Sequence, residues 1–166
     1  MPLANPSAAP CRKNKFLLDH IHMLDRSLQH WTGLPLLDNG QLERDPLDAA
    51  KQLYHAPFSL LSHGTEADPI INYANLAAQQ LFEMNWHEFV QLPSRFSAET
   101  VVQKERDALL KRVSDNGYID DYSGVRISKT GKRFIIDRAT VWNLLDENGK
   151  AQGQAAMFAH WKQIKT

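Results

Sequence analysis

The run Ser62 to Phe89, SHGTEADPIINYANLAAQQLFEMNWHEF, constrains the fold more than any other stretch of the chain. An apolar segment, Phe58 to Leu61, stops at Ser62, His63 and Gly64. Asp68-Pro69 then supplies turn chemistry before Ile70, Ile71 and Tyr73 restart the apolar pattern. That is a hairpin. Asn75 is placed to cap a helix, and Asn85 with Glu88 three residues on forms a capping-box pattern, so two short helices follow the hairpin directly.

Upstream, Leu17, Ile21, Leu24, Leu28 and Trp31 recur at spacings of four, three, four and three, an apolar stripe along one face of a helix running from Arg12 to about Trp31. Gly33, Pro35, Asp38, Asn39 and Gly40 mark a loop, and Asp45-Pro46 opens a short helix ending near His55. Downstream, Ser97 is placed to cap a helix reaching about Ser114 and stopped by Gly117, with Val102, Leu109, Leu110 and Val113 on its inner face. Three strands follow. Tyr118 to Ser128 and Lys132 to Leu145 are joined by Lys129-Thr130-Gly131, and Asp146 to Gly149 turns the chain into Ala151 to Lys162. With the hairpin this makes five antiparallel strands, and the chain divides into a tail (1–11), a helical extension (12–56) and an α+β domain (57–166).

The hairpin running into an Asn-started helix resembles a PAS domain. LPSRFSAE (Leu92 to Glu99), DDYSGVRIS (Asp120 to Ser128) and ATVWNLLDENG (Ala139 to Gly149), in order after SHGTEADPI, resemble the MEKHLA family. This PAS-related domain occurs as small stand-alone bacterial proteins and at the C-terminus of plant class III homeodomain-leucine zipper factors. The resemblance spans Leu17 to Trp161. It implies the strand order 2-1-5-4-3, with glove helices inserted between strands 2 and 3 over one sheet face and the N-terminal amphipathic helix available for the other. The resemblance fixes the fold better than the function; the function expected is a sensor that binds an unidentified small molecule and acts by a change of conformation or association.

Charge narrows the partners. Lys and Arg total 19 against 19 Asp and Glu, so no net field draws nucleic acid or an anionic membrane surface. Arg12, Lys13 and Lys15 read as a solvated helix start. The first ten residues lack the apolar core of a signal peptide, and no apolar run reaches membrane-spanning length. The single cysteine, Cys11, can form no internal disulfide, which fits a cytoplasmic protein.

Strand alternation nominates cavity residues. On the fourth strand Phe134, Ile136, Arg138, Thr140, Trp142 and Leu144 share one face unless a bulge shifts the phase. On the fifth, small residues alternate with larger ones around Met157, leaving space that either a ligand or helix side chains fill. The expected ligand-binding set is Tyr73, Phe82, Trp86, Phe134, Trp142 and Met157, with Arg95 and Arg138 as polar anchors. Arg95, in the constrained PSRFS loop, suits a bidentate carboxylate clamp or a salt bridge to Glu99 or Asp120.

Other chemistries fare worse. By the PAS resemblance, haem would need a histidine on the long glove helix, yet Glu99 to Asn116 holds no His, Cys or Met. Covalent flavin would need a glove cysteine, and Cys11 is far from the glove. His20 and His22 diverge on a helix and make no metal pair. Ser62, His63 and Asp68 match a nucleophile set in composition only. Asp120 or Asp121 with Arg95 is the enzyme alternative. Only Gln163 to Thr166 follow the last strand, so output is expected through the sheet or the N-terminal helix, whose stripe covers its own sheet or joins a homodimer. The competing reading is a ligand-free module that dimerises through that helix.

Overall fold

The computed structural model describes residues 8–98 and 103–164. An antiparallel sheet in the order β2-β1-β5-β4-β3 is built from β1 (Ser59–His63), β2 (Ile71–Ala74), β3 (Tyr118–Ile127), β4 (Arg133–Leu145) and β5 (Ala151–Phe158). A further strand, β6 (His160–Gln163), continues β5 beyond a break at Ala159 and pairs with the other end of β4. The expected strand order and the insertion of helices between β2 and β3 are both present.

Local chemistry sets the helix starts. In α3 (Pro46–Tyr54) the Asp45 carboxylate accepts from the Asp48 N–H, and Pro46 fills the first turn, where no N–H is needed. Asn75 caps α4 (Leu76–Phe82) and binds three elements together. Its Oδ1 accepts from Ala78 N and Leu60 N, and its Nδ2 donates to Leu53 O and Phe58 O, all within 2.8–3.1 Å. A fully buried amide thus spends its whole hydrogen-bonding capacity. Asn85 and Glu88 form the reciprocal capping box of α5 (Trp86–Phe89).

The N-terminal helix is shorter than its periodicity suggests. Lys15, Phe16 and Leu17 adopt left-handed backbone (φ 55°, 52° and 56°), so α1 runs over Leu18–Thr32 and Leu17 leaves the helical stripe. The break turns Phe16 toward Tyr54, with ring centroids 6.4 Å apart. Short α2 (Gln41–Arg44) precedes α3. Ser97 lies in a 3-10 turn (Ser94–Ser97), where its hydroxyl donates to Ser94 O at 2.7 Å; the helix start it is expected to cap falls at 99–102, outside the described residues. The long glove helix, α6, spans Gln103–Asn116; Glu99 and Val102 lie outside the described residues. At its end Gly117 is left-handed, and a Cβ there would stand 2.3 Å from the Trp31 ring, so glycine alone lets α1 pass.

The sheet is buried on both faces. Ile21, Leu24 and Leu28 of α1 pack with Leu53, Leu60, Trp142 and Leu144 on one side. Phe82, Phe89, Leu109, Val113, Phe134 and Val141 pack on the other. Three hydrogen bonds pin α1 along β4: Trp142 Nε1 to Leu24 O (3.1 Å), Leu145 N to Ser27 Oγ (2.9 Å) and Trp31 Nε1 to Asn143 O (3.0 Å).

A bulge overturns the even alternation expected along β4. Arg138 is left-handed (φ 51°) at the junction where β4 stops pairing with β6, at Asp137, and resumes with β5, at Thr140. One inserted residue reverses the side-chain phase. Phe134 and Ile136 therefore share the glove face with Ala139 and Val141, while Trp142 and Leu144 face α1.

Candidate functional site

A cavity of about 90 Å³ lies between the glove and the sheet. Its apolar lining comes from Leu61, Ile71, Phe82, Leu109, Ile136, Val141 and Phe158, and its polar lining from His63, Ser94, Ser97, Arg106, Tyr122, Arg126 and Gln154. By this measure one water needs about 10–15 Å³, so the space holds several waters or one small molecule.

The polar groups of the lining are largely buried. Arg106 (8% exposed) stands on the inner face of α6, one turn before Leu109, and donates to the Ser94 hydroxyl. Its partner in charge, Asp107, is 3.6 Å away and faces solvent. Arg126 (9% exposed) donates to Val125 O at 2.9 Å, and its guanidinium carbon lies 5.3 Å from the Tyr122 ring centre. Burial, and next the Arg126 charge, lower the Arg106 pKa. His63 Nδ1 lies 3.0 Å from Gly64 O, so Nδ1 carries the proton and Nε2 is an acceptor in the neutral ring. Burial is the chief cause lowering the His63 pKa, which favours that neutral ring. Three buried atoms in the lining find no hydrogen-bond partner among the described residues: His63 Nε2, Tyr122 Oη and Gln154 Oε1.

The sequence-nominated residues are divided among three places. Phe82 lines the cavity, and Phe134 packs against it at 5.1 Å between ring centres. Tyr73, Trp86, Trp142 and Met157 belong to the cluster on the α1 side of the sheet. Arg95 sits at the surface, where its Nε donates to Asp68 at 3.0 Å and its guanidinium lies 4.1 Å from the Phe96 ring centre. Arg138 points outward beside Asp137 with 80% of its side chain exposed, because the bulge that reverses the strand carries it away from the glove.

Arg106, Arg126, Tyr122 and Gln154 are not among the sequence-nominated residues, and His63 is named only in the nucleophile set. The available signal was an arginine set into an apolar helix stripe, Arg106-Leu109-Val113, and the alternation Tyr122-Gly124-Arg126 on β3. Gly124 has a reason of its own: a Cβ there would stand 2.1 Å from the Tyr122 hydroxyl.

The other chemistries do not assemble. Asp120 and Asp121 are exposed, and Asp121 lies 3.6 Å from Arg112. Ser62 donates to Asn72 Oδ1 at 2.6 Å and accepts from His20 Nε2 at 2.8 Å, while Asp68 holds Arg95. Among the described residues no three His, Cys, Asp or Glu side chains group around a common metal position, and Cys11 is exposed. No helix among them is long and apolar enough to cross a membrane.

The family profile described as MEKHLA domain matches residues 18–163. The homeobox-leucine zipper protein ATHB-14 of Arabidopsis thaliana is 26% identical over 150 residues, covering 87% of this chain and 17% of its own length. The chain thus spans about a sixth of the homeobox-leucine zipper relatives it matches. Among solved structures, the PAS domain of a protein from Colwellia psychrerythraea superposes with a TM-score of 0.58 at 13% identity, over 70% of this chain and 94% of that one. An RNA-binding light-oxygen-voltage receptor superposes with a TM-score of 0.60 at 15% identity, over 79% of this chain and 35% of that one. At such identities the likeness is one of fold.

Proposed function

Because the chain belongs to the MEKHLA domain family, we propose that it is a cytoplasmic sensor domain that takes a small molecule into the glove cavity and answers by a change of conformation or association, without turnover. The observation that carries this reading is the partly open cavity whose lining holds buried polar atoms without protein partners among the described residues. Such atoms cost stability unless something in the cavity bonds to them.

Size restricts the occupant. Pockets for drug-sized ligands run to roughly 300 Å³ or more, and a haem or flavin would need the glove to open well beyond its present volume. Cys11, outside the lining, offers no adduct position for a flavin.

A route for output runs from the cavity to a helix on each face of the sheet. Gln154 Nε2 donates to Asn143 Oδ1 (3.0 Å), Asn143 Nδ2 donates to Val113 O on α6 (3.0 Å), and Asn143 O accepts from Trp31 on α1. A ligand that engages Gln154 would shift this relay. Association as a homodimer belongs to the same proposal, with its interface away from the α1 stripe, since Ile21, Leu24 and Leu28 are already buried in their own domain.

Native mass spectrometry of protein purified from the cells that make it tests the reading. One low-mass noncovalent adduct per chain is expected, released when the protein unfolds. Bare chain in every preparation, with no small molecule shifting its thermal unfolding, would refute it.

A further inference from the structure

We infer that the cavity is an anion site, built for a small organic carboxylate that also carries a hydroxyl or amino donor; this rests on the ligand-binding reading above. The two buried guanidiniums are the starting point. Arg106 and Arg126 line the same space, and no carboxylate stands among the lining residues described. Two like charges removed from water repel each other and lose hydration, a cost that native interiors meet with a counter-charge. Asp107, largely solvated and 3.6 Å from Arg106, and the more distant Asp68 carboxylate, which is tied to Arg95, meet it only in part.

The donors are also underused. A guanidinium presents five N–H groups. Among the described residues Arg106 makes one hydrogen bond, to Ser94, and Arg126 one, to Val125 O. What remains is a set of N–H groups whose planar fork matches a carboxylate. The unpartnered Tyr122 hydroxyl adds a neutral donor at the same lining.

The acceptors define the rest of the ligand. His63 Nε2 and Gln154 Oε1 are buried and unpartnered, and a neutral His63 with its proton on Nδ1 can only accept at Nε2. A bare carboxylate satisfies the arginines and leaves these two unmet. An amino group beside the carboxylate can donate to both, and a hydroxyl, with its single O–H, to one of them. Phe82, Leu109 and Val141 cover the carbon skeleton, and a volume of about 90 Å³ admits a short one. A fully hydrated oxyanion such as phosphate would leave that apolar wall without a partner.

The test uses the full chain with three probes that differ by one group: lactate, propionate without the hydroxyl, and propane-1,2-diol without the charge. Inorganic phosphate is the fourth probe. Calorimetric titration and thermal unfolding are read for wild type, Arg106→Gln and Arg126→Gln. Lactate is expected to bind better than propionate, with the diol undetected. Each substitution should weaken lactate by at least about tenfold, the loss of a charge-assisted hydrogen bond. Without ligand, each variant should unfold at the same temperature as wild type or higher, because an uncompensated buried charge has gone. A purely structural arginine would instead lower it.

Diol binding as tight as lactate, unchanged in both variants, would overturn the anion assignment while leaving a ligand-binding cavity. Phosphate displacing lactate with higher affinity would overturn the carboxylate class. Lower unfolding temperatures in both variants, with no response to any probe, would overturn the inference, and a neutral adduct retained in native mass spectrometry would then keep the sensor reading alone.

Discussion

Trp142 gives the sharpest test of the strand-phase reversal. The side chain is wholly buried, and its indole N–H donates to Leu24 O at 3.1 Å, so it anchors α1 to β4 and takes no part in the cavity. Trp142→Ala should cost about 3–5 kcal/mol, as for buried aromatic truncations generally. Roughly 1 kcal/mol of that is the indole hydrogen bond. For a chain of this size the loss lowers the unfolding midpoint by about 2–4 °C per kcal/mol. Urea unfolding followed by circular dichroism measures it, with the double variants Trp142→Ala/Leu24→Ala and Trp142→Ala/Phe134→Ala completing two cycles. Trp142 and Leu24 touch, and should couple by about 0.5 kcal/mol or more; Trp142 and Phe134 lie on opposite faces and should add. Lactate affinity should survive in Trp142→Ala. Coupling of Trp142 to Phe134, with additivity toward Leu24, would refute the bulge at Arg138.

Arg138→Gly should raise stability by about 0.5–1 kcal/mol, because the position is left-handed and the arginine side chain is exposed, whereas Arg138→Val should lower it; chemical denaturation reads both. Gly153→Ala should cost at least about 2 kcal/mol, since its backbone is at φ 129° and an added Cβ would stand 1.9 Å from His63 O; a neutral outcome would mean that β5 and β1 are not this close. Burial pushes the His20 pKa down to about 4, so the folded state resists a proton that the unfolded chain accepts below about 6.5. Stability should therefore be full above pH 6.5 and fall between pH 6.5 and 4. His20→Gln, which keeps a donor toward Ser62, should flatten that slope in acid denaturation, and an unchanged slope would assign it to other groups.

Most of the architecture was legible because short-range chemistry dictated it. Asn75, Asn85 and Asp45-Pro46 mark helix starts through side chains that meet the first N–H groups, and the hairpin is set by Asp68-Pro69 between apolar runs. The strand order came by resemblance, since ladder order depends on contacts between distant residues. Left-handed backbone at non-glycine positions is not legible in sequence. At Arg138 and at Lys15 to Leu17 the residue is not glycine, so nothing in its type announces the turn, and one such residue moved Trp142 to the opposite face from Phe134. The cavity arginines were missed for a related reason. Arg106 and Arg126 look like surface charges until the tertiary structure buries both against one space.

The central claim is that the glove cavity holds a small carboxylate on Arg106 and Arg126. A high-resolution crystal structure of the full chain grown with lactate tests it most directly. Ordered non-water density is expected, with its carboxylate on both guanidiniums and its hydroxyl at His63 Nε2 or Gln154 Oε1. Arginines turned out to solvent, or a cavity holding water alone at saturating lactate, would contradict it.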